Sequence, residues 1–193
     1  MAVRTPIALL SYPHLFVARP AAPGADPRFS CALLFDQDAQ KDPAFLELRK
    51  AVGAAIDDMW GAGKSRDKAF IASIRSPFRR TQAKKTKGYV EMEGGIYIQP
   101  WSKDRPGVVD ARLQDITVPG DVWPGQMARA TVRPFAYDVS GNKGVNFNLN
   151  NIQICRTDGP RLDDRKKAKD EFDPYGAGEG GYGPDDDDDD APF

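Results

Sequence analysis

Apolar and polar residues alternate along most of this chain, and the breaks in the alternation mark out its elements. Arg28-Phe29-Ser30-Cys31-Ala32-Leu33-Leu34-Phe35 predicts a strand with Phe29, Cys31, Leu33 and Phe35 on one face. Residues 7–10 and 14–17 predict an earlier strand interrupted near Pro13, and a Pro/Gly turn over 20–27 joins the two. The period then changes. Asp42 ahead of Pro43 reads as an N-cap with proline at the first helical position, and Glu47 sits in the opening turns. Phe45, Leu48, Val52, Ile56 and Trp60 follow at three- or four-residue spacing. That stripe, ended by Gly61-Ala62-Gly63, predicts a helix of about 18 residues with one buried face.

After the helix, residues 64–88 form a basic segment in which Asp67 alone opposes nine Lys and Arg residues, with Phe70 and Phe78 among them. Residues 89–101 predict a strand that breaks at Gly94-Gly95, and 108–111 a short one. Residues 127–137 predict a long strand, Ser140-Gly141-Asn142-Lys143-Gly144 a tight hairpin, and 145–154 the returning strand. Beyond about Arg161 the apolar pattern disappears. The pattern predicts a mainly β body over 1–160 with one inserted helix, and a disordered tail over 161–193 too poor in apolar residues to offset its ordering entropy.

Composition narrows the chemistry. The 193 residues fit one domain with appendages, and no apolar run approaches the length that spans a bilayer. Neither a membrane span nor a secretory leader is expected. Two cysteines and one histidine cannot supply a disulfide framework or a multi-histidine zinc site. Cys31 and Cys155 read as buried thiols, His14 as structural, and Asp57-Asp58 as a solvated pair with no carboxylate beside it for a divalent cation. No phosphate-binding glycine loop is present. The expectation is a protein without enzymatic activity, metal or cofactor.

Charge changes the picture more. The net charge of -1 conceals a division: residues 170–193 hold 10 acidic residues and no basic one, so residues 1–169 carry 27 basic against 18 acidic groups, a net of +9. A basic body favours polyanions, because each phosphate it neutralises releases condensed counterions.

Reading the long hairpin face by face places Ala128, Ala130, Val132, Pro134 and Ala136 on one side and Arg129, Thr131, Arg133, Phe135 and Tyr137 on the other. Asn146, Asn148 and Asn150 of the returning strand extend the second face, and Tyr97, Gln99 and Trp101 share a face of their own strand. Arginines interleaved with rings suit single-stranded nucleic acid, whose bases stack on aromatics while guanidinium groups meet phosphates. The competing reading has the rings packed beneath a loop and the arginines merely solvated. The candidate contacts are Phe78, Arg79, Arg80, Lys84, Lys85, Lys87, Tyr89, Tyr97, Trp101, Arg129, Arg133, Phe135, Tyr137, Lys143 and Asn148.

Two resemblances bear on this. Ser76-Pro77-Phe78-Arg79, Arg105-Pro106-Gly107-Val108-Val109-Asp110, Phe135-Ala136-Tyr137-Asp138, Gly141-Asn142-Lys143-Gly144-Val145 and Leu149-Asn150-Asn151-Ile152-Gln153 resemble the phage single-stranded-DNA-binding family first catalogued as a domain of unknown function. The similarity spans about residues 5–160 and implies an OB-fold-like Greek-key barrel that holds single strands in a groove. Six aspartates at 185–190, then Ala191-Pro192-Phe193, resemble the acidic tip of bacterial single-stranded-DNA-binding proteins. That likeness implies partner contacts through Asp188, Asp189, Asp190, Pro192 and Phe193, although Ala191 stands where a larger aliphatic residue is usual.

Together these predict sequence-independent binding of single-stranded DNA in phage replication or recombination, in the host cytoplasm, with replication or recombination proteins recruited by the tail. A homo-oligomer is compatible with the pattern. An RNA-binding OB module and a phage adaptor protein are the alternatives.

Overall fold

In the computed structural model, residues 1–81, 94–159, 161–162 and 171–172 are described. Among the described residues the alternation becomes nine strands and two helices: β1 (Val3–Arg4), β2 (Ala8–Pro20), β3 (Pro27–Phe35), α1 (Pro43–Trp60), α2 (Lys68–Ser73), β4 (Arg79–Arg80), β5 (Ile96–Ile98), β6 (Trp101–Ser102), β7 (Gly107–Val109), β8 (Met127–Val139) and β9 (Asn142–Arg156). The chain divides into two compact units, 1–163 and 164–193. The elements named above belong to the first.

Pairing closes on itself. β8 pairs with β2, β2 with β3, β3 with β6, β6 with β9, and β9 again with β8, so the strands form a ring. β6 and β7 run parallel to β9, whereas the other pairings are antiparallel. The ring is the OB-like barrel that the resemblance implies.

Alternation decides what fills it. Leu10, Cys31, Leu33, Ile98, Val132, Val145, Phe147 and Leu149 point inward and are buried. The apolar stripe of α1, Phe45, Leu48, Val52 and Ile56, merges with them into one cluster, and Phe35 meets Phe45 edge-on at 5.2 Å. Asp42 caps α1 by accepting from Ala44 N at 2.7 Å, with Pro43 next in line. Asp57 departs from the expected solvated pair: Ser65 N and Oγ donate to its carboxylate at 2.7 and 2.9 Å, tying the end of α1 to the following loop. Those hydrogen bonds hold the Asp57 carboxyl below its ordinary value.

Three local features shape the surface. Ser140 (φ 50°) and Gly141 (φ 78°) both take positive φ, the conformation of the tightest hairpin turns, and pair Val139 with Asn142. In β9 the register with β8 slips by one at Asn150, since Thr131 faces Asn151 whereas Val132 faces Leu149. In β2 the break expected near Pro13 is a bulge: register with β3 shifts between Ser11 and His14, and Tyr12 adopts φ 45°. The later strand breaks at Gln99-Pro100, between β5 and β6; residues 82–93, where the rest of the expected 89–101 strand falls, lie outside the described residues. Among the described residues no helix is long and apolar enough to cross a membrane.

Candidate nucleic-acid interface

On its outer surface the barrel carries a groove of about 550 Å³ lined from β2, β3, β6, the hairpin of β8 and β9, and the segment before β4. Four arginines line it: Arg19, Arg28, Arg75 and Arg79. Three aromatic rings accompany them, Tyr12, Trp101 and Tyr137. His14, Ser30, Ser76, Gln99 and Asn146 add hydrogen-bonding groups, and no Asp or Glu is among the described lining residues.

Register explains the convergence. Residues paired across a sheet share a face. Arg133 faces Asn148, Asn148 faces Trp101, Trp101 faces Ser30, and Ser30 faces His14, which makes one outward row across five strands. Beside Trp101 the rings continue: Trp101 meets Phe135 edge-on at 5.8 Å, and Phe135 meets Tyr137 at 6.4 Å. The Arg28 guanidinium lies over the Trp101 ring, 4.8 Å from its centroid. Arg79 Nη1 donates to Gln99 Oε1 at 3.3 Å. Arg75 is held at the groove by its backbone, which donates to Lys143 O at 2.9 Å and accepts from Val145 N at 3.1 Å. His14 has a lowered pKa, first through burial and then through the Arg19 charge, so the free groove favours a neutral imidazole.

Of the expected contacts, Arg79, Trp101 and Tyr137 line this groove, while Phe135, Arg133 and Asn148 sit beside them on the same face. Arg80 is exposed on β4 and lies outside the lining. Lys143 is at the hairpin end, where Asp138, its cross-strand partner, holds it at 3.2 Å. Arg129 shares the outer face but lies beyond the β9 bulge, where its Nε donates to Gln153 Oε1 at 2.8 Å.

Two candidates are corrected. Phe78 is packed inward between Phe45 (5.6 Å) and Phe147 (5.8 Å), so its ring joins α1 to the barrel. Tyr97 is only 2% exposed, packed with Leu9, Ala32 and Leu34 beneath Met127 and Leu162. Its face does continue to Gln99 and Trp101, but that end of the face is covered. Cys31 is buried as expected, and burial raises its thiol pKa; Cys155 is only partly buried. Lys84, Lys85, Lys87, Tyr89 and the acidic tip at Asp188, Asp189, Asp190, Pro192 and Phe193 lie outside the described residues.

Tyr12, Arg19 and Arg28 are not among the contacts expected from the sequence, and His14 is expected there to be structural. Arg28 and Ser30 were legible as the face opposite Phe29 and Cys31, but that face continues into Ala32 and Leu34 and reads as ambiguous. Tyr12 owes its direction to the bulge, which no periodicity reports.

A solved structure described as the single-stranded DNA-binding protein from bacteriophage Enc34 in complex with ssDNA has a TM-score of 0.67 at 19% identity, covering 82% of this chain and 88% of that one. Gp2.5, a single-stranded DNA binding protein encoded by bacteriophage T7, has a TM-score of 0.54 at 12% identity, covering 86% and 97%. These likenesses establish a shared fold. No curated protein matches the chain by sequence. The family model of the ssDNA-binding protein of Enterobacter phage Enc34 matches residues 1–190, and by that match this chain belongs to the Enc34 single-stranded-DNA-binding family.

Proposed function

We propose that this chain binds single-stranded DNA without sequence preference, laying the strand along the groove between the β2–β3 hairpin and the β8–β9 hairpin, in phage replication or recombination. One observation carries the reading: four arginines and three aromatic residues, from five strands and the segment before β4, line one groove with no carboxylate among its described lining. Rings supply stacking of about 1–3 kcal/mol per base whatever the base, and the arginines supply the salt-dependent attraction to phosphates. Family membership supports the same conclusion. The acidic run at 185–190 and the terminal Pro192-Phe193 act in this reading as a tail that competes with DNA for the basic body and recruits replication or recombination enzymes. The charge division of the sequence supports that part.

The test is a fluorescence titration with oligo-dT, using duplex DNA and oligo-U as competitors at two salt concentrations. Trp101 is the tryptophan in the groove, so a Trp60→Phe/Trp123→Phe background isolates its signal. Quenching by oligo-dT that weakens with salt and resists duplex supports the proposal. Preference for oligo-U would assign the groove to RNA, and silence with every nucleic acid, checked by gel shift, would overturn the reading.

A further inference from the structure

We infer that Arg19 and Arg28 form a clamp for one internucleotide phosphate, and that Trp101 is the backing that positions Arg28 rather than a shelf for a base. The inference rests on the single-strand reading of the groove and names the part of the ligand that each end of it takes.

Arg19 and Arg28 are direct cross-strand partners on β2 and β3, and both residues line the groove. Like charges placed directly opposite one another repel. A fold that keeps such a pair normally sets a carboxylate beside it, and the described groove lining has none. Asp26, in the turn that joins the two strands, is 3.8 Å from Lys103 instead. The next register pair is Pro20 with Pro27, whose fixed φ angles stiffen the hairpin end that carries the two arginines. The register thus places two like charges on neighbouring strands with no carboxylate in the described groove lining, and an anion bound by both offsets their repulsion.

The chemistry of Arg28 selects the anion. With its Cζ held 4.8 Å from the centroid of the Trp101 ring, the guanidinium is anchored by the indole, and its planar fork of N–H donors suits the oxygens of a phosphodiester. Trp101 in turn meets Phe135 edge-on. Arg28 occupies the space over the indole, so the lining rings with a stacking role are Tyr137 and Tyr12 on the bulge.

The experiment compares oligo-dT with a base-free deoxyribose-phosphate oligomer of equal length, using the full chain. Arg19→Ala and Arg28→Ala are each expected to weaken both probes by the same factor, about tenfold at low salt, as for loss of one charge-assisted contact. Each is expected to flatten the slope of log affinity against log salt by about 0.7, the share of one phosphate on a single strand. The free variants are expected to melt no lower than the parent, because each relieves a repulsion. Trp101→Leu is expected to match Arg28→Ala on the base-free probe, whereas Trp101→Phe, which keeps a ring beneath the guanidinium, retains most of the affinity.

Unchanged salt slopes in both arginine variants, with the parent still binding oligo-dT, overturn the clamp and leave the groove reading intact. Failure of the parent to bind oligo-dT overturns the groove reading itself. Trp101→Leu that weakens oligo-dT but spares the base-free probe overturns the backing role and makes Trp101 a stacking shelf.

Discussion

Tyr137 lies across Gly144, its register partner on β9: a Cβ at 144 would stand 2.6 Å from the tyrosine hydroxyl and 2.9 Å from both Cζ and the Cβ of Arg75. The absent side chain lets one ring and one cation of the groove approach the same stretch of backbone. Arg75 bridges to Gly144 as a short parallel pairing, so the two groups share one support.

Gly144→Ala should therefore displace Tyr137 or Arg75 while leaving the barrel folded. We expect a stability loss of about 1–3 kcal/mol, typical of a forced close contact, and a several-fold drop in oligo-dT affinity. Thermal melts and fluorescence titration check both. Adding Gly144→Ala to Tyr137→Ala should cost less affinity than it does in the parent, because the two substitutions disturb the same contact.

The opposed roles of two aromatic candidates give a second test. Phe78→Ala removes a ring between α1 and the barrel and should destabilise by about 3 kcal/mol, with little change in affinity at temperatures where it is folded. Tyr137→Ala should do the reverse, with a melting point near the parent's and about 1–3 kcal/mol lost from single-strand binding. Denaturant melts paired with titrations separate the two.

His14 makes binding sensitive to pH. Burial and Arg19 lower its pKa in the free protein, so the folded chain resists protonation there. The stability this contributes is present above the ordinary histidine value, about 6.5, and is lost as pH falls below it. A phosphate at Arg19 offsets the second cause, so the bound state takes up a proton more readily. Among the described lining, the charged side chains sharing the groove are the four arginines, and the phosphate counters those as well. Affinity for oligo-dT should rise as pH drops from 7.5 to 5.5, and His14→Gln should flatten the profile. Because the chain has a single histidine, its imidazole proton resonances report the titration directly in the free and bound states.

Deleting residues 184–193 should tighten oligo-dT binding at low ionic strength, since it removes six aspartates from a chain whose remainder is basic. The gain should shrink near 0.15 M salt, where the Debye length is about 8 Å. The same deletion should abolish capture of replication or recombination enzymes. Equal affinities with and without the tail at low salt would show that it does not compete for the groove.

Local periodicity determined much of this molecule. A period of two sends Arg133, Phe135 and Tyr137 to one side of β8 and Ala130 and Val132 to the other, whatever lies across the sheet. The Asp42-Pro43 start and the Phe45-to-Trp60 stripe specify α1 from within the helix itself, and both appear in the structure with the expected bounds. The family likeness was also legible, because it rests on contiguous residues around the β8–β9 hairpin. Which faces are covered was decided only by tertiary structure. Tyr97 and Trp101 share a face of the chain, yet Tyr97 is sealed against Leu9 and Leu34 while Trp101 opens onto the groove. Arg28 meets Trp101 only because β3 pairs with β6, and Arg19 meets Arg28 only through a second register shift, between His14 and Arg19, beyond the bulge at Tyr12. Alternation fixes the direction of a side chain relative to its own strand. The identity of the neighbour it meets depends on long-range pairing and bulges, whose free energy belongs to the whole barrel and leaves no period in the sequence.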